Sequence, residues 1–328
     1  MKPKIVLYKA LPEAELARLR DRFEVSAFDG IGPHNRADFM AALTEAEGLI
    51  GASAPVTTEM LAQAPRLRAV STISVGIDQF DLATLNRRRI ALMHTPSVLT
   101  ETTADTLFAL VIATARRVVE LSNLVRDGCW QGSIGPEHFG VDVHGKTMGI
   151  IGMGRIGYAL AKRAHLGFDM KINYYNRSPH QQAEAQLSAT RMPLDALLAE
   201  ADFVCLVLPL TPGTERFIGR EQFALMKPDA IFINGSRGKV VDEPALIQAL
   251  QERRIRAAGL DVFEVEPLPG SSPLCRLDNA VLLPHIGSAT HETRLAMVRC
   301  AVDNLIAALD GDLGRNCANA AAVFPPQG

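Results

Sequence analysis

One stretch constrains the fold of this chain more than any other: Lys146-Thr147-Met148-Gly149-Ile150-Ile151-Gly152-Met153-Gly154-Arg155-Ile156-Gly157. An apolar strand over residues 147–151 runs into three glycines spaced G-x-G-x-x-G, and a helical run over residues 158–164 follows. A bare glycine repeat also describes a turn that holds no ligand. The strand before it and the helix after it are the context that a phosphate-binding loop demands. In that context Gly152 makes the tight turn, Gly154 lets backbone approach a pyrophosphate, and Gly157 allows close helix packing. The helix start supplies unpaired N–H groups for the phosphates.

The surrounding sequence repeats the same strand-then-helix alternation. Short apolar runs at residues 4–8, 25–28, 48–50, 69–73 and 91–93 are separated by amphipathic stretches such as residues 13–23. This is the α/β pattern of a small doubly wound domain. A second alternating series begins at Lys146 and continues to about residue 285. At roughly 150 residues per domain, 328 residues suit two domains. Residues 100–125 have apolar positions at helical spacing and no proline, which predicts one long helix. Residues 128–145 are rich in glycine, carry the only tryptophan, Trp130, and are too long for a tight turn, so a projecting arm is expected. Residues 292–309 read as a closing helix, and the Ala-rich, Pro-Pro tail after Cys317 as a frayed end.

Composition limits the function classes. With 48% apolar and 21% charged residues the chain is globular, not disordered. Its 34 Lys plus Arg against 36 Asp plus Glu give a net charge of −2, which leaves no global basic field for a nucleic acid or an anionic membrane. Arg66, Arg68 and the run Arg87, Arg88, Arg89 read as solvated helix faces or turns, not as a binding patch. The apolar runs fall short of the ~18 residues of a membrane span, and the amino terminus moves straight into a strand without an apolar leader. A cytoplasmic chain with a small-molecule partner is expected. The five cysteines (Cys129, Cys205, Cys275, Cys300, Cys317) form no C-x-x-C pair, which argues against a disulfide framework and against a structural metal. Cys205, inside an apolar run, reads as a small core residue.

If the ligand is NAD, the strand over residues 171–175 should end in an acidic residue that accepts from the ribose hydroxyls. Asn176-Arg177-Ser178 stands there instead. Without the carboxylate a 2′-phosphate meets no repulsion, and Arg177 and Ser178 can bind one, so NADPH/NADP is expected ahead of NAD. The other reading is an Arg177 merely solvated at a loop.

Three later strands end in polar residues that a core does not require there. Residues 230–234 lead to Gly235-Ser236-Arg237-Gly238, residues 257–262 to Glu264-Val265-Glu266-Pro267, and residues 281–283 to Pro284-His285-Ile286-Gly287. Because ligands of open α/β sheets bind beyond the carboxyl ends of strands, Arg237, Glu266 and His285 are predicted to converge beside the nicotinamide end of the dinucleotide. Together they suit reduction of a 2-keto acid. The Arg237 fork holds a carboxylate and the adjacent carbonyl oxygen. Protonated His285 gives its proton to the developing alkoxide as hydride reaches the carbonyl carbon. Glu266, on the other ring nitrogen, favours the imidazolium. An ordinary surface ion pair would explain neither the glycines beside Arg237 nor the strand-end positions. Ser74-Val75-Gly76-Ile77-Asp78 also follows a strand; either Gly76 lets backbone N–H groups face the substrate carboxylate, or the segment is only a turn.

At these residues the chain resembles the D-isomer-specific 2-hydroxyacid dehydrogenases, most of all the bacterial glyoxylate/hydroxypyruvate reductases that also act as 2-ketogluconate reductases. Further carriers are Leu-Tyr-Lys-Ala-Leu-Pro from Leu7, Ser-Thr-Ile-Ser-Val-Gly from Ser71, His-Thr-Pro-Ser-Val-Leu-Thr-Glu-Thr from His94, Ser-Ile-Gly-Pro from Ser133, Ala-Gly-Leu-Asp-Val-Phe from Ala258 and Pro-His-Ile-Gly-Ser-Ala-Thr from Pro284. The resemblance implies two doubly wound domains, with a Rossmann dinucleotide-binding domain (residues 100–288) inserted into a flavodoxin-like substrate domain (residues 1–99 and 289–328). It implies Arg237, Glu266 and His285 as catalytic residues, with Val75, Gly76 and Arg237 on the substrate. Cofactor contacts would come from Thr103, Gly152, Gly154, Arg155, Ile156, Gly157, Asn176, Arg177, Ser178, Pro209, Ser236, Asp261, His285 and Gly287. It also implies a homodimer through the nucleotide domains, with the arm and Trp130 at or across the interface. The tail beyond Asn316 does not suggest the regulatory domain of long phosphoglycerate dehydrogenases. Other readings are an NAD-linked dehydrogenase of different substrate preference and a dinucleotide-sensing protein like the corepressors of this fold. A formate or phosphite dehydrogenase relative is a third, and Glu266 argues against it because the formate branch usually has Gln there.

Overall fold

The structure, a computed structural model, describes residues 2–323. The early apolar runs become β1 (Lys4–Leu7), β2 (Glu24–Ala27), β3 (Gly48–Gly51), β4 (Ala69–Thr72) and β5 (Ala91–Met93). They form one parallel sheet in the order β2-β1-β3-β4-β5, the flavodoxin-like order. Val6 on β1 stands opposite Ser26 on one side and Leu49 on the other. Tyr8, Phe39, Leu43, Leu49 and Leu92 are fully buried in the core on this sheet, with Phe39 edge-on to Phe28 and Tyr8. The helix His291–Leu309 packs against the sheet: a Cβ on Gly48 would lie 3.0 Å from Leu309 and 3.1 Å from Leu305, so a side chain there would push those leucines back by a few tenths of an ångström. Ser71 fixes its position by donating to the Ala301 carbonyl at 2.8 Å.

The later series gives β6 (Thr147–Ile151), β7 (Lys171–Tyr175), β8 (Thr190–Arg191), β9 (Phe203–Leu206), β10 (Ile231–Asn234), β11 (Ala257–Leu260) and β12 (Ala280–Leu282). All pairings are parallel, in the order β12-β11-β10-β9-β6-β7-β8. Every residue of β9, β10 and β11 is buried, as expected of strands covered on both faces. The order reverses between β6 and β9. In open α/β sheets ligands bind beyond the carboxyl ends of the strands at such a switch point, and the glycine loop follows β6 there. The chain divides into two compact units, Met1–Leu99 with Thr290–Gly328, and Thr100–Ala289.

Three sequence expectations need revision. Residues 100–125 are two helices, Thr100–Ala115 and Val118–Arg126, with Arg117 left-handed between them at φ +55°. The Ala115 carbonyl is taken by the Val141 N–H at 2.9 Å, so the acceptor that would continue the helix is used by a returning chain. Arg117 clasps Glu120 through two bonds, 2.8 and 2.6 Å, and donates to the Glu137 carbonyl. The segment after Cys317 is docked as far as Val323: Ala318 bonds the Leu92 carbonyl, and buried Asn319 accepts from the Leu92 N–H and donates to the Ile90 carbonyl. The Pro-Pro dipeptide lies outside the described residues. The helix after the glycine loop spans Arg155–Phe168, starting earlier and ending later than its apolar run. Residues 128–145 contain one short 3₁₀ turn, Pro136–His138, and expose Trp130, Ile134 and Phe139. Among the described residues no helix is long and apolar enough to cross a membrane.

Candidate active site

The glycine loop can be read atom by atom. Gly152 has φ +102°, which a side chain resists, and a Cβ there would stand 2.7 Å from the Val207 carbonyl oxygen. On Gly157 a Cβ would overlap the Gly152 carbonyl oxygen, so its absence lets the helix start sit on the loop. Gly154 differs: nothing lies within 4 Å of where its Cβ would be. It is the N-cap of the helix Arg155–Phe168, no side chain caps that end, and the first intrahelical bond is from the Tyr158 N–H to the Gly154 carbonyl. The N–H groups of Arg155, Ile156 and Gly157 therefore stand at the positive end of the helix dipole beside open space, which suits a pyrophosphate. Arg155 is exposed, and half-buried Ile156 packs on the core beneath.

Beyond β7 the chain turns through Asn176-Arg177-Ser178. Asn176 donates from Nδ2 to the Ser178 carbonyl at 3.1 Å, while the side chains of Arg177 and Ser178 are exposed. No carboxylate stands in this turn. Pro209, after β9, is exposed and its carbonyl accepts from Thr214 Oγ1 at 2.6 Å. Ser236, after β10, is buried and spends both its N–H and its hydroxyl on Asn234 Oδ1, each at 3.0 Å.

The ends of β10, β11 and β12 bring Arg237, Glu266 and His285 to one place. His285 Nδ1 lies 2.8 Å from Glu266 Oε2, and Glu266 Oε1 accepts from the Phe263 N–H at 3.0 Å. Burial pushes the Glu266 carboxyl up, but the hydrogen bonds from His285 and Phe263 and the charges of His285 and Arg237 outweigh it, holding the group below its ordinary value. Arg237 is thus near enough for its charge to act on Glu266; its Nη1 also donates to the Ser236 carbonyl at 2.8 Å. The flanking glycines have steric reasons. A Cβ on Gly235 would overlap Leu107, and one on Gly238 would overlap the Phe263 carbonyl. The His285 backbone is left-handed at φ +55°, a conformation that non-glycine residues hold only when neighbours enforce it.

Asp261, which follows β11, holds the two residues that come after His285 in the chain. Its Oδ1 accepts from the Ile286 N–H at 2.7 Å and its Oδ2 from the Gly287 N–H at 2.8 Å, so the carboxylate pins the two residues after His285. Only 3% of Asp261 is exposed. Burial raises its pKa, and the two N–H donors and the charge on His285 offset this in part. Thr103, buried on the helix Thr100–Ala115, lies where a Gly287 side chain would begin, 3.3 Å from that position. In the first unit, the turn after β4 is held by Ser74 donating to the Gly76 carbonyl at 2.8 Å and by the His94 ring on the Val75 carbonyl at 3.0 Å.

Residues 108–287, more than half of the chain, match the model of the D-isomer specific 2-hydroxyacid dehydrogenase NAD-binding domain. The chain belongs to that family. It is an oxidoreductase with a dinucleotide-binding domain. Over 319 residues it is 60% identical to glyoxylate/hydroxypyruvate reductase B of Yersinia pestis (strain Pestoides F), covering 97% of this chain and 98% of the relative. Among solved structures it is similar to a protein of Thermus thermophilus, with 42% identity, a TM-score of 0.87, and 96% and 99% of the two chains covered. It is also similar to the NADPH-dependent glyoxylate/hydroxypyruvate reductase of Sinorhizobium meliloti, solved with NADP and malonate. That match has 31% identity, a TM-score of 0.82, and 94% and 93% coverage.

Within this family frame, two features of the site escape a reading of the sequence. Asp261 stands in the motif as a cofactor contact, yet each of its oxygens holds a backbone N–H of the His285 turn. Arg191, on the short edge strand β8, contacts the Asn176-Arg177 turn. No sequence signal marks Arg191; its position is set by the parallel register that places it across from Tyr174.

Proposed function

We propose that the chain reduces short 2-keto acids, namely glyoxylate, hydroxypyruvate and 2-ketogluconate, to D-2-hydroxy acids with NADPH. The observation that carries this reading is the 2.8 Å bond between Glu266 and His285 Nδ1, which leaves Nε2 as the ring atom that moves a proton. When bound, the reduced dinucleotide supplies hydride to the substrate carbonyl carbon. Arg237 holds the substrate carboxylate and polarises the neighbouring carbonyl through its planar fork. His285, as imidazolium oriented and electrostatically supported by Glu266, delivers the Nε2 proton to the alkoxide oxygen, and neutral His285 takes it back in the reverse direction.

NADPH is favoured over NADH because Arg177 and Ser178 are exposed at the turn after β7 with no carboxylate beside them. The glycine loop takes the pyrophosphate, and Thr103, Pro209, Ser236, Asp261 and Gly287 line the way to the nicotinamide end. We also propose a homodimer through the Thr100–Ala289 unit, supported by its exposed Val118, Val119, Trp130, Phe139 and Leu166. Five free cysteines suit the reducing cytoplasm. The test is NADPH oxidation with the three keto acids, repeated with NADH. Turnover of at least one, with NADPH preferred and the preference diminished in Arg177→Ala, is expected. Absence of turnover with all three would refute the assignment.

A further inference from the structure

Arg191 is exposed on β8, yet its guanidinium is committed to the turn that follows β7. Nε donates to the Asn176 carbonyl at 3.0 Å and Nη2 to the Arg177 carbonyl at 2.7 Å. A trans peptide points the N–H of one residue opposite to the C=O of the residue before it. With the carbonyls of Asn176 and Arg177 drawn toward Arg191, the N–H groups of Arg177 and Ser178 face the other way. Among the described residues neither has a hydrogen-bond acceptor. Two successive free N–H groups form a concavity for an anion. The rest of the turn is braced independently. Asn176 ties to the Ser178 carbonyl, Tyr174 Oη accepts from the His180 N–H at 2.8 Å, and that hydroxyl donates to Glu184 at 2.5 Å.

We infer that Arg191 is the positioning residue of the 2′-phosphate subsite: it clamps two consecutive carbonyls so that the Arg177 and Ser178 amides, with their side chains, face the phosphate of the dinucleotide. The inference rests on the NADPH reading above. It assigns Arg191 a part in cofactor choice without contact to the cofactor. Arginine is required because one planar fork must reach two carbonyls at once; a lysine ammonium supplies the charge from a single point on a flexible stem.

The test is calorimetric binding of two fragments, adenosine 2′,5′-bisphosphate and 5′-AMP, to the full-length wild type, Arg191→Ala and Arg191→Lys. Circular dichroism and the unfolding midpoint establish that each variant is folded. The expected result is a loss of about tenfold in affinity for the bisphosphate in Arg191→Ala, with 5′-AMP held within about twofold and no recovery in Arg191→Lys. Equal loss of both fragments would mark a general disturbance of the fold and overturn the inference, as would unchanged bisphosphate binding in Arg191→Ala. Full recovery in Arg191→Lys would make charge, not the carbonyl clamp, the cause. If the wild type binds the two fragments equally, the NADPH reading fails and the inference falls with it. If it prefers the bisphosphate and Arg191→Ala keeps that preference, only the inference fails.

Discussion

Replacing Asp261 with asparagine removes one of the two acceptors that hold the His285 turn. The carboxylate accepts from the Ile286 and Gly287 N–H groups at 2.7 and 2.8 Å. Asparagine keeps one oxygen and sets an NH₂ against the remaining backbone donor. A hydrogen bond to a charged group is worth about 1.5–3 kcal/mol, and the displaced N–H, part-buried at Ile286 or buried at Gly287, loses its acceptor. Against this, the neutral side chain escapes the desolvation that raises the Asp261 pKa. The net cost is about 2 kcal/mol. For a domain of this size that lowers the unfolding midpoint by roughly 4–8 °C. A left-handed non-glycine residue costs about 1–2 kcal/mol, similar to the bond that is lost. His285, at φ +55°, is then free to relax toward an ordinary conformation. With His285 as the proton donor proposed above, a displacement of about 1 Å lowers kcat on the order of a hundredfold. Differential scanning calorimetry and steady-state NADPH oxidation measure both effects on one sample. A midpoint within about 1 °C of wild type together with kcat within about twofold would refute the claim that Asp261 holds the turn.

Further outcomes follow from other details of the site and core. Gly238→Ala places a Cβ onto the Phe263 backbone and is expected to lower stability by about 1–3 kcal/mol in urea unfolding, whereas Gly154→Ala, with open space around it, should leave the urea midpoint near wild type and weaken dinucleotide binding instead. The Glu266 carboxyl has a folded-state pKa below its unfolded value of 4.5, so the unfolded chain binds the proton first as pH falls. Its contribution is therefore complete above the unfolded pKa and lost as pH drops through the folded one. The midpoint difference between wild type and Glu266→Gln should be largest near neutrality and shrink in acid; a difference that widens in acid contradicts the pairing with His285. Cys205 is fully buried and its thiol is pushed well up by desolvation, while Cys275 is exposed. Iodoacetamide followed by peptide mass spectrometry should modify Cys275 in the native protein and reach Cys205 only after unfolding.

What the sequence made legible follows from the range of the interactions involved. Buried parallel strands appear as short, mainly apolar runs, which is why β5, β6 and β7 fall at the residues that the pattern picks out and β1 to β4 and β10 to β12 begin or end within a residue or two, whereas β8 and β9 were not singled out. Arg237, Glu266 and His285 were legible because each lies in the loop that follows a buried strand, three residues after β10, six after β11 and three after β12, and those three strands are neighbours in the sheet. The break at Arg117 was not, because the group that takes the Ala115 carbonyl is Val141, reached through an irregular segment with no periodicity of its own. The docked tail is a similar case, since Asn319 satisfies backbone groups of β5 from the far end of the chain. Asp261 and Arg191 differ again. Each has a side chain whose type suits direct contact with a ligand, and each uses it on the backbone of a neighbouring turn. A motif records that a residue type is needed at a position, but the partner that requires it is set by which loop the fold lays beside that strand end. In this chain Asp261 is bonded to the backbone of the turn that carries His285, and Arg191 to the backbone of the turn after β7, so what each side chain does is fixed by the turn beside it and not by its residue type.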